Sequence, residues 1–205
     1  MAANTIGKGR RVNRFLVVDL EATCSDDGSI LPEDMEIIEI GACWTTENGV
    51  VLHRFQHFVK PLTKPKLTPF CMALTGISQA DIDDAPMFPV AAKALKEFVA
   101  ERLEPGAVWM SWGAYDMKQI ARDAVRHGID SPLTIPHQNA KKMFAKVQRI
   151  GKEVGMTKAC ELSGRPLQGQ HHRGLDDAVN IAGLMPWILG VNMLRGHLPH
   201  TQKHI

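Results

Sequence analysis

The sequence predicts an α/β domain with a mixed sheet and helices on its faces. Three observations carry that prediction. Three consecutive apolar or alternating segments near the start have strand lengths and short links, which suggests an antiparallel meander. The hydrophobic period then changes from two to about 3.6 residues. Beyond the change, the short apolar segment "AVWMSW" (Ala107–Trp112) stands between helical stretches, as a buried strand would.

Taken in order, residues 14–20 read as the first strand and Met35–Trp44, rich in Ile, as the second. Asn48-Gly49 is a tight hairpin signal. It leads into a third strand in which Val51, His53, Phe55, His57 and Val59 alternate with Leu52, Arg54, Gln56 and Phe58. Phe88–Leu103 places Val90, Ala94, Leu95, Phe98 and Val99 on one helical face. "YDMKQIARDAVRHG" reads as a helix that stops at Gly128, and Gly174–Leu189 as another, strained or ended near Pro186. The expected order is βββαβα plus further helices. Residues 1–13, with Lys8, Arg10 and Arg11, are expected to be a flexible lead. Residues 14–190 are expected to be the domain, and residues 191–205 a polar tail that takes in His197, His200 and His204 as bystanders.

Bulk properties narrow the function classes. The chain has 205 residues, 44% hydrophobic and 22% charged, which suits a globular domain with a sizeable core. A formal net charge of +2 provides no global basic field, so a nucleic-acid partner must be argued from local features. Cys24, Cys43, Cys71 and Cys160 form no CxxC pair, which argues against a zinc site or disulfide framework and fits a reducing cytoplasm. No apolar run approaches the ~18 residues of a membrane span, and no apolar segment precedes residue 15 as a secretory signal would require. Neither GxxxxGK[ST] nor GxGxxG occurs, which counts against a P-loop or dinucleotide enzyme.

The chemistry is carried by acids. "FLVVDLEATC" (Phe15–Cys24) starts as a buried strand and ends on Asp19 and Glu21, two residues apart and therefore on one side of the strand. Alone, such a pair is equally a solvated loop after a strand that ends near residue 18. Asp116 in "SWGAYDMKQI" stands at a helix start, where an acid also simply complements the helix dipole. In "HHRGLDDAVNIA", His172 precedes Asp177 by five residues and His171 precedes Asp176 by five, so spacing leaves both pairs open. Together the four carboxylates Asp19, Glu21, Asp116 and Asp177 suit hard divalent cations, which take oxygen ligands. Two such ions promote displacement at phosphorus, and a histidine suits removal of a proton from water.

"VVDLEAT", "SWGAYD" and "HRGLDD" resemble the three motifs of the DEDDh exonucleases of the ribonuclease-H-like superfamily. "PEDMEIIEIGA", "PFCMALTGISQADIDDAPMF" and "HHRGLDDAVNIA" resemble the branch containing the three-prime histone-mRNA exonuclease and its relatives in RNA interference. The resemblance covers roughly residues 14–190 and implies a mixed five-stranded sheet, its first three strands antiparallel. It also implies that Asp19, Glu21, Asp116 and Asp177 hold two Mg²⁺ or Mn²⁺ ions and that His172, which stands where the branch has its single histidine, is the general base. The implied activity is 3′-to-5′ hydrolysis of single-stranded nucleic acid from its 3′ end, RNA favoured and DNA accepted, releasing nucleoside 5′-monophosphates. The additional RNA-binding domain that members of the branch can carry is not expected in this length of chain.

For the terminal nucleotide, Phe70, Leu74 and Trp112 stand beside the motifs. Apolar and aromatic faces there would stack on a base at about 1–3 kcal/mol each. By resemblance Trp112 and Phe70 go near the base, Ala22 and Thr23 near the sugar and its 3′-OH. Core packing is the competing role for all three apolar residues. Glu36 and Glu39 are nearby acids of the second strand, and Glu36 is read as supporting rather than metal-binding. Lys141, Lys142, Lys146, Arg149, Lys152 and Lys158, opposed by Glu153, would track a phosphate backbone or form a solvated face. The rival to an enzyme is a catalytically weak module that binds nucleic-acid ends on the same fold. Such a module predicts loss of an acid or the histidine, and all five positions are filled.

Overall fold

A computed structural model describes residues 14–194. The lead at 1–13 and the histidines of the tail lie outside them. The elements are β1 (Arg14–Ala22), β2 (Ile37–Thr46), β3 (Val51–Phe58), α1 (Pro69–Thr75), α2 (Gln79–Asp83), α3 (Phe88–Ala100), β4 (Val108–Ser111), α4 (Tyr115–Arg126), β5 (His137–Asn139), α5 (Ala140–Val147), α6 (Met156–Leu162), α7 (Gly174–Gly183) and α8 (Met185–Ile188). The five strands form one sheet in the order β3-β2-β1-β4-β5. β1, β2 and β3 pair antiparallel, and β4 and β5 join parallel to β1. The sheet is mixed and five-stranded, as the resemblance implied.

The sheet buries both faces, and β1 shows how alternation divides them. Leu16, Val18 and Leu20 join Ile40, Trp44 and Trp109 under α3 and α4. Val17 joins Cys43 and Met110 under α5, α6, α7 and α8. Each such Leu or Ile contributes about 1.5–3 kcal/mol when fully buried. Asp19 and Glu21 follow Val17 on the second face. A smaller cluster of Ile38, Leu67, Cys71, Ile77 and Ile82 seats α1 and α2.

Several boundaries differ from expectation for local reasons. β1 continues to Ala22 because β2 pairs along its whole length, so both acids lie on the strand and not in a loop. The last expected helix is divided into α7 and α8 around Leu184, because Pro186 has no N–H to continue the ladder. α1 and α2 had no periodic signal. They are set by caps, with Thr68 accepting the Cys71 N–H and Ser78 and Asp81 forming a capping box. The packed body also passes residue 190. Leu194 is buried and donates its N–H to Gln148 Oε1, while Gln148 Nε2 donates to the carbonyls of Trp187 and Asn192. All four cysteines are free, and among the described residues no helix is long and apolar enough to cross a membrane.

Candidate active site

The site forms where β1 outruns β4 and the start of α7 is pressed onto the sheet. The β1–β4 register ends at Val17 and Met110, and β4 stops at Ser111. The chain then turns through Gly113, whose φ of 130° is open only to glycine, and enters α4. That turn brings Asp116 back beneath β1, where its Oδ1 accepts the Leu20 N–H at 3.1 Å.

α7 approaches through a pair of glycines. Gly41 lies opposite Asp19 in the β1–β2 register. A Cβ on Gly41 would stand 1.9 Å from the Gly174 carbonyl carbon, and a Cβ on Gly174 would stand 3.0 Å from the Asp19 carbonyl oxygen. Backbone therefore meets backbone with no room for side chains. Glu39, directly opposite Glu21, holds α7 there. Its Oε2 accepts Arg173 Nε and the Gly174 N–H, both at 3.1 Å, and its Oε1 accepts Gln56 Nε2 at 2.6 Å. An acid at the first turn also matches the helix dipole. Sequence reading noted Glu39 only as a nearby acid and missed the two glycines. Gly41 inside an Ile-rich strand is the signal that marks close backbone approach.

The outcome is a convergence of carboxylates. Asp19, Glu21 and Asp177 offer oxygens that lie within 4.8 Å of one another. Asp116 reaches the same end of the sheet but lies outside that tight group. Burial drives the carboxyl of Asp19 well up, reinforced by Asp116, Glu21, Asp177 and Glu39. Glu21 rises to about 8, from burial first and then from Asp177 and Glu39. Asp116 rises to about 6 through burial, partly offset by its hydrogen bonds. Asp177 is also raised by burial, against the opposing effect of His171 and the His172 N–H. Asp177 Oδ1 is buried without a partner. Clustered carboxylates short of donors match the donor chemistry of a hard divalent cation.

The two histidines divide differently from what spacing alone could indicate. His171 Nδ1–H donates to Asp177 Oδ2 at 2.9 Å, and the His172 backbone N–H donates to the same oxygen at 3.0 Å. The rings stack at 3.9 Å and 24°. His172 occupies the left-handed region with φ 63°, a costly conformation for a side-chain-bearing residue and one that clusters at functional sites. Its ring makes no hydrogen bond among the described residues, and burial lowers its pKa. His171, His172 and Asp177 form a second potential ligand group sharing Asp177 with the first. Asp176, the alternative partner by spacing, instead accepts the Gln170 N–H.

The expected nucleotide contacts fall into two sets. Phe70 and Leu74 lie on the exposed side of α1, each 36% exposed, while Cys71 and Thr75 face inward. α1 is tied to the end of β1, since Thr68 Oγ1 donates to the Cys24 carbonyl at 2.6 Å and Cys71 Sγ to that of Ala22. Its far end meets Gln170, next to the histidines. Ala22 and Thr23, by contrast, are buried. The Thr23 hydroxyl accepts the Glu36 N–H at 3.0 Å and its backbone N–H donates to the Glu36 carbonyl, so the side chain pins two strand ends together and is not open to a sugar. Trp112 is half-buried, its Nε1–H donating to the Val154 carbonyl at 3.0 Å and its ring packing on Phe144. Glu36 is structural too. Burial pushes its carboxyl up, but the Thr63 hydroxyl and the N–H groups of Leu62, Thr63 and Lys64 outweigh it and hold it low.

This sheet order, with acids gathered at the end of its central strand, defines an α/β fold of the ribonuclease-H-like exonuclease class. The family described as Exonuclease (RNase_T) matches residues 16–185, and the chain belongs to it. ERI1 exoribonuclease 3 of Mus musculus is 32% identical over 198 residues, covering 90% of this chain and 56% of its own length. The probable 3′-5′ exonuclease KapD of Bacillus subtilis is 29% identical over 169 residues, covering 82% of this chain and 80% of its own. The chain thus spans about half the length of the mammalian relative it matches. Among solved structures, the nuclease domain of 3′hExo, a DEDDh family member bound to rAMP, superposes with a TM-score of 0.78 at 25% identity. That match covers 89% of this chain and 94% of the other.

Proposed function

We propose that this chain is a metal-dependent 3′-to-5′ exonuclease that removes nucleoside 5′-monophosphates from single-stranded nucleic acid, with RNA as the favoured substrate and DNA accepted. The observation that carries this reading is the convergence of Asp177 with Asp19 and Glu21, from which it is distant in sequence, within 4.8 Å at one strand end. The names of its relatives support it, ERI1 exoribonuclease 3 and the 3′hExo domain bound to rAMP among them.

Asp19, Glu21, Asp177 and Asp116 would hold two Mg²⁺ or Mn²⁺ ions, and their raised carboxyl pKa values and the unpartnered Asp177 oxygen fit such a role. When bound, such ions supply Lewis acidity that lowers the pKa of a water and offsets charge on a leaving oxygen. His172, with a free ring and a pKa lowered by burial, is neutral near pH 7 and so can take a proton from the attacking water. His171 orients Asp177 from the side. Phe70 and Leu74 offer apolar faces to the terminal base, with Trp112 as a further candidate contact. Ala22 contributes backbone only. Four free thiols support a cytoplasmic setting.

The test uses 5′-labelled single-stranded RNA and DNA of matched sequence, with Mg²⁺, with Mn²⁺ and with chelator. A ladder shortening from the 3′ end only with metal is the expected result. A strand that stays intact under every divalent ion sinks the enzyme reading and favours an end-binding module. Within the same assay, His172→Ala is expected to lower turnover about 10²–10⁴-fold, the usual worth of a general base, and His171→Ala to lower it less. The reverse order would assign the base to His171.

A further inference from the structure

The basic segment noted in the sequence folds into a concavity. Lys142 and Lys146 of α5, with Arg149 and Lys152 of the following loop, line it together with Ala145, Gly151 and Glu153. All four cations are exposed, and none forms an ion pair among the described residues. Other cations behave differently: Lys158 pairs with Glu161 at 2.7 Å, and Arg173 pairs with Glu39. Four cations against one acid leave a local positive field in a chain whose net charge is only +2.

Arg149 supplies an independent observation. α5 ends in a Schellman motif, with the Ile150 N–H on the Ala145 carbonyl and the Arg149 N–H on the Lys146 carbonyl. The left-handed position of that motif usually holds glycine. Here Arg149 occupies it at φ 54°, at a cost of roughly 1 kcal/mol or more. The cap itself would be better served by glycine, so the backbone cost goes with a cation at the rim of the concavity.

Its place in the fold connects it with the acids. β5 runs parallel to β4, so α5 begins at the sheet end where Trp112 and Asp116 lie. The loop after α5 then returns, and Val154 accepts the Trp112 indole N–H. The concavity contains no aromatic ring, so it suits charge and not bases.

We propose that this concavity is a docking track for the phosphate backbone of a single nucleic-acid strand, upstream of the 3′ end held at the acids. The proposal rests on the exonuclease reading for its direction, but its binding test does not. Fluorescence anisotropy in chelator would compare long single-stranded RNA with a trinucleotide, for the native chain, for the triple variant Lys142→Gln/Lys146→Gln/Lys152→Gln, and for Arg149→Gly. Because the triple variant neutralises three fewer phosphates, the slope of log affinity against log salt should become shallower by about 2. Affinity for the long strand should fall about tenfold or more. In the cleavage assay KM should rise for the long strand and stay unchanged for the trinucleotide. Arg149→Gly should melt no lower than the native protein while binding the long strand more weakly.

Unchanged affinity and salt slope would overturn the proposal. So would an equal loss for long and short substrates, or polyglutamate binding as tightly as RNA, which would indicate an acidic protein partner. If the native chain cleaves nothing, the enzyme reading fails while the anisotropy series still decides the track.

Discussion

Two sets of acids lie near the ends of the first two strands, and their surroundings are opposite. Glu36 collects the N–H groups of Leu62, Thr63 and Lys64 and a hydroxyl, and Glu39 collects Arg173, the Gly174 N–H and Gln56. Asp19, Glu21 and Asp177 have few donors and one another's charge. Burying a carboxylate is expensive unless donors or cations meet it. The first set is therefore structural. The second is a deficit that a cation would fill, and the two sets should answer perturbation in opposite ways.

The largest expected effect is on turnover. Asp19→Asn or Asp177→Asn should reduce it by several orders of magnitude, while thermal melts without metal stay level or rise, since a repulsive charge is removed. A variant that both cleaves normally and melts lower would break the distinction. Glu39→Gln should behave in the reverse sense. It weakens the seat of α7, costs about 1–3 kcal/mol of stability through the loss of charge-assisted hydrogen bonds, and lowers activity only as far as the start of α7 loosens. Urea melts beside initial rates separate the two patterns.

A smaller effect should appear with pH. Burial and the neighbouring carboxylates push Glu21 from its ordinary 4.5 up to about 8, and Asp19, Asp116 and Asp177 move in the same direction. The folded chain therefore binds more protons than the unfolded chain in this window. The contribution of these carboxyls to metal-free stability is fully present near pH 4.5 and is lost as pH rises towards 8. Mg²⁺ or Mn²⁺ should raise Tm, and more at pH 8 than at pH 5, where protons compete. A metal-free Tm that climbs over this range, or a metal shift independent of pH, would contradict the assignment. Differential scanning fluorimetry across the range reads both.

How much of this was legible follows physical lines. The apolar runs marked β1 and β2, alternation marked β3, and the helical stripe marked α3, because burial writes itself into the sequence. The candidate site residues Asp19, Glu21, Asp116, His172 and Asp177 stood out through their motifs, although spacing alone left His171 with Asp176 open. β5 was missed because three residues carry no period. α1 and α2 were missed because single capping side chains, Thr68 and Ser78, define them. Thr23 read as a sugar contact, and in the fold its side chain is buried and accepts the Glu36 N–H.

The sequence by itself determined the alternation that sends Asp19 and Glu21 to one face of β1, and the chemical types that suit a divalent cation. Local pattern suffices for those, since they depend on neighbours along the chain. Only the tertiary structure decided which acids are answered and which are not. That depends on Gly41 and Gly174 letting two backbones touch, on Glu39 holding α7 at its first residue, and on β4 ending early enough for Asp116 to reach Leu20. Each is a contact between segments far apart in sequence, formed by packing that no local period records.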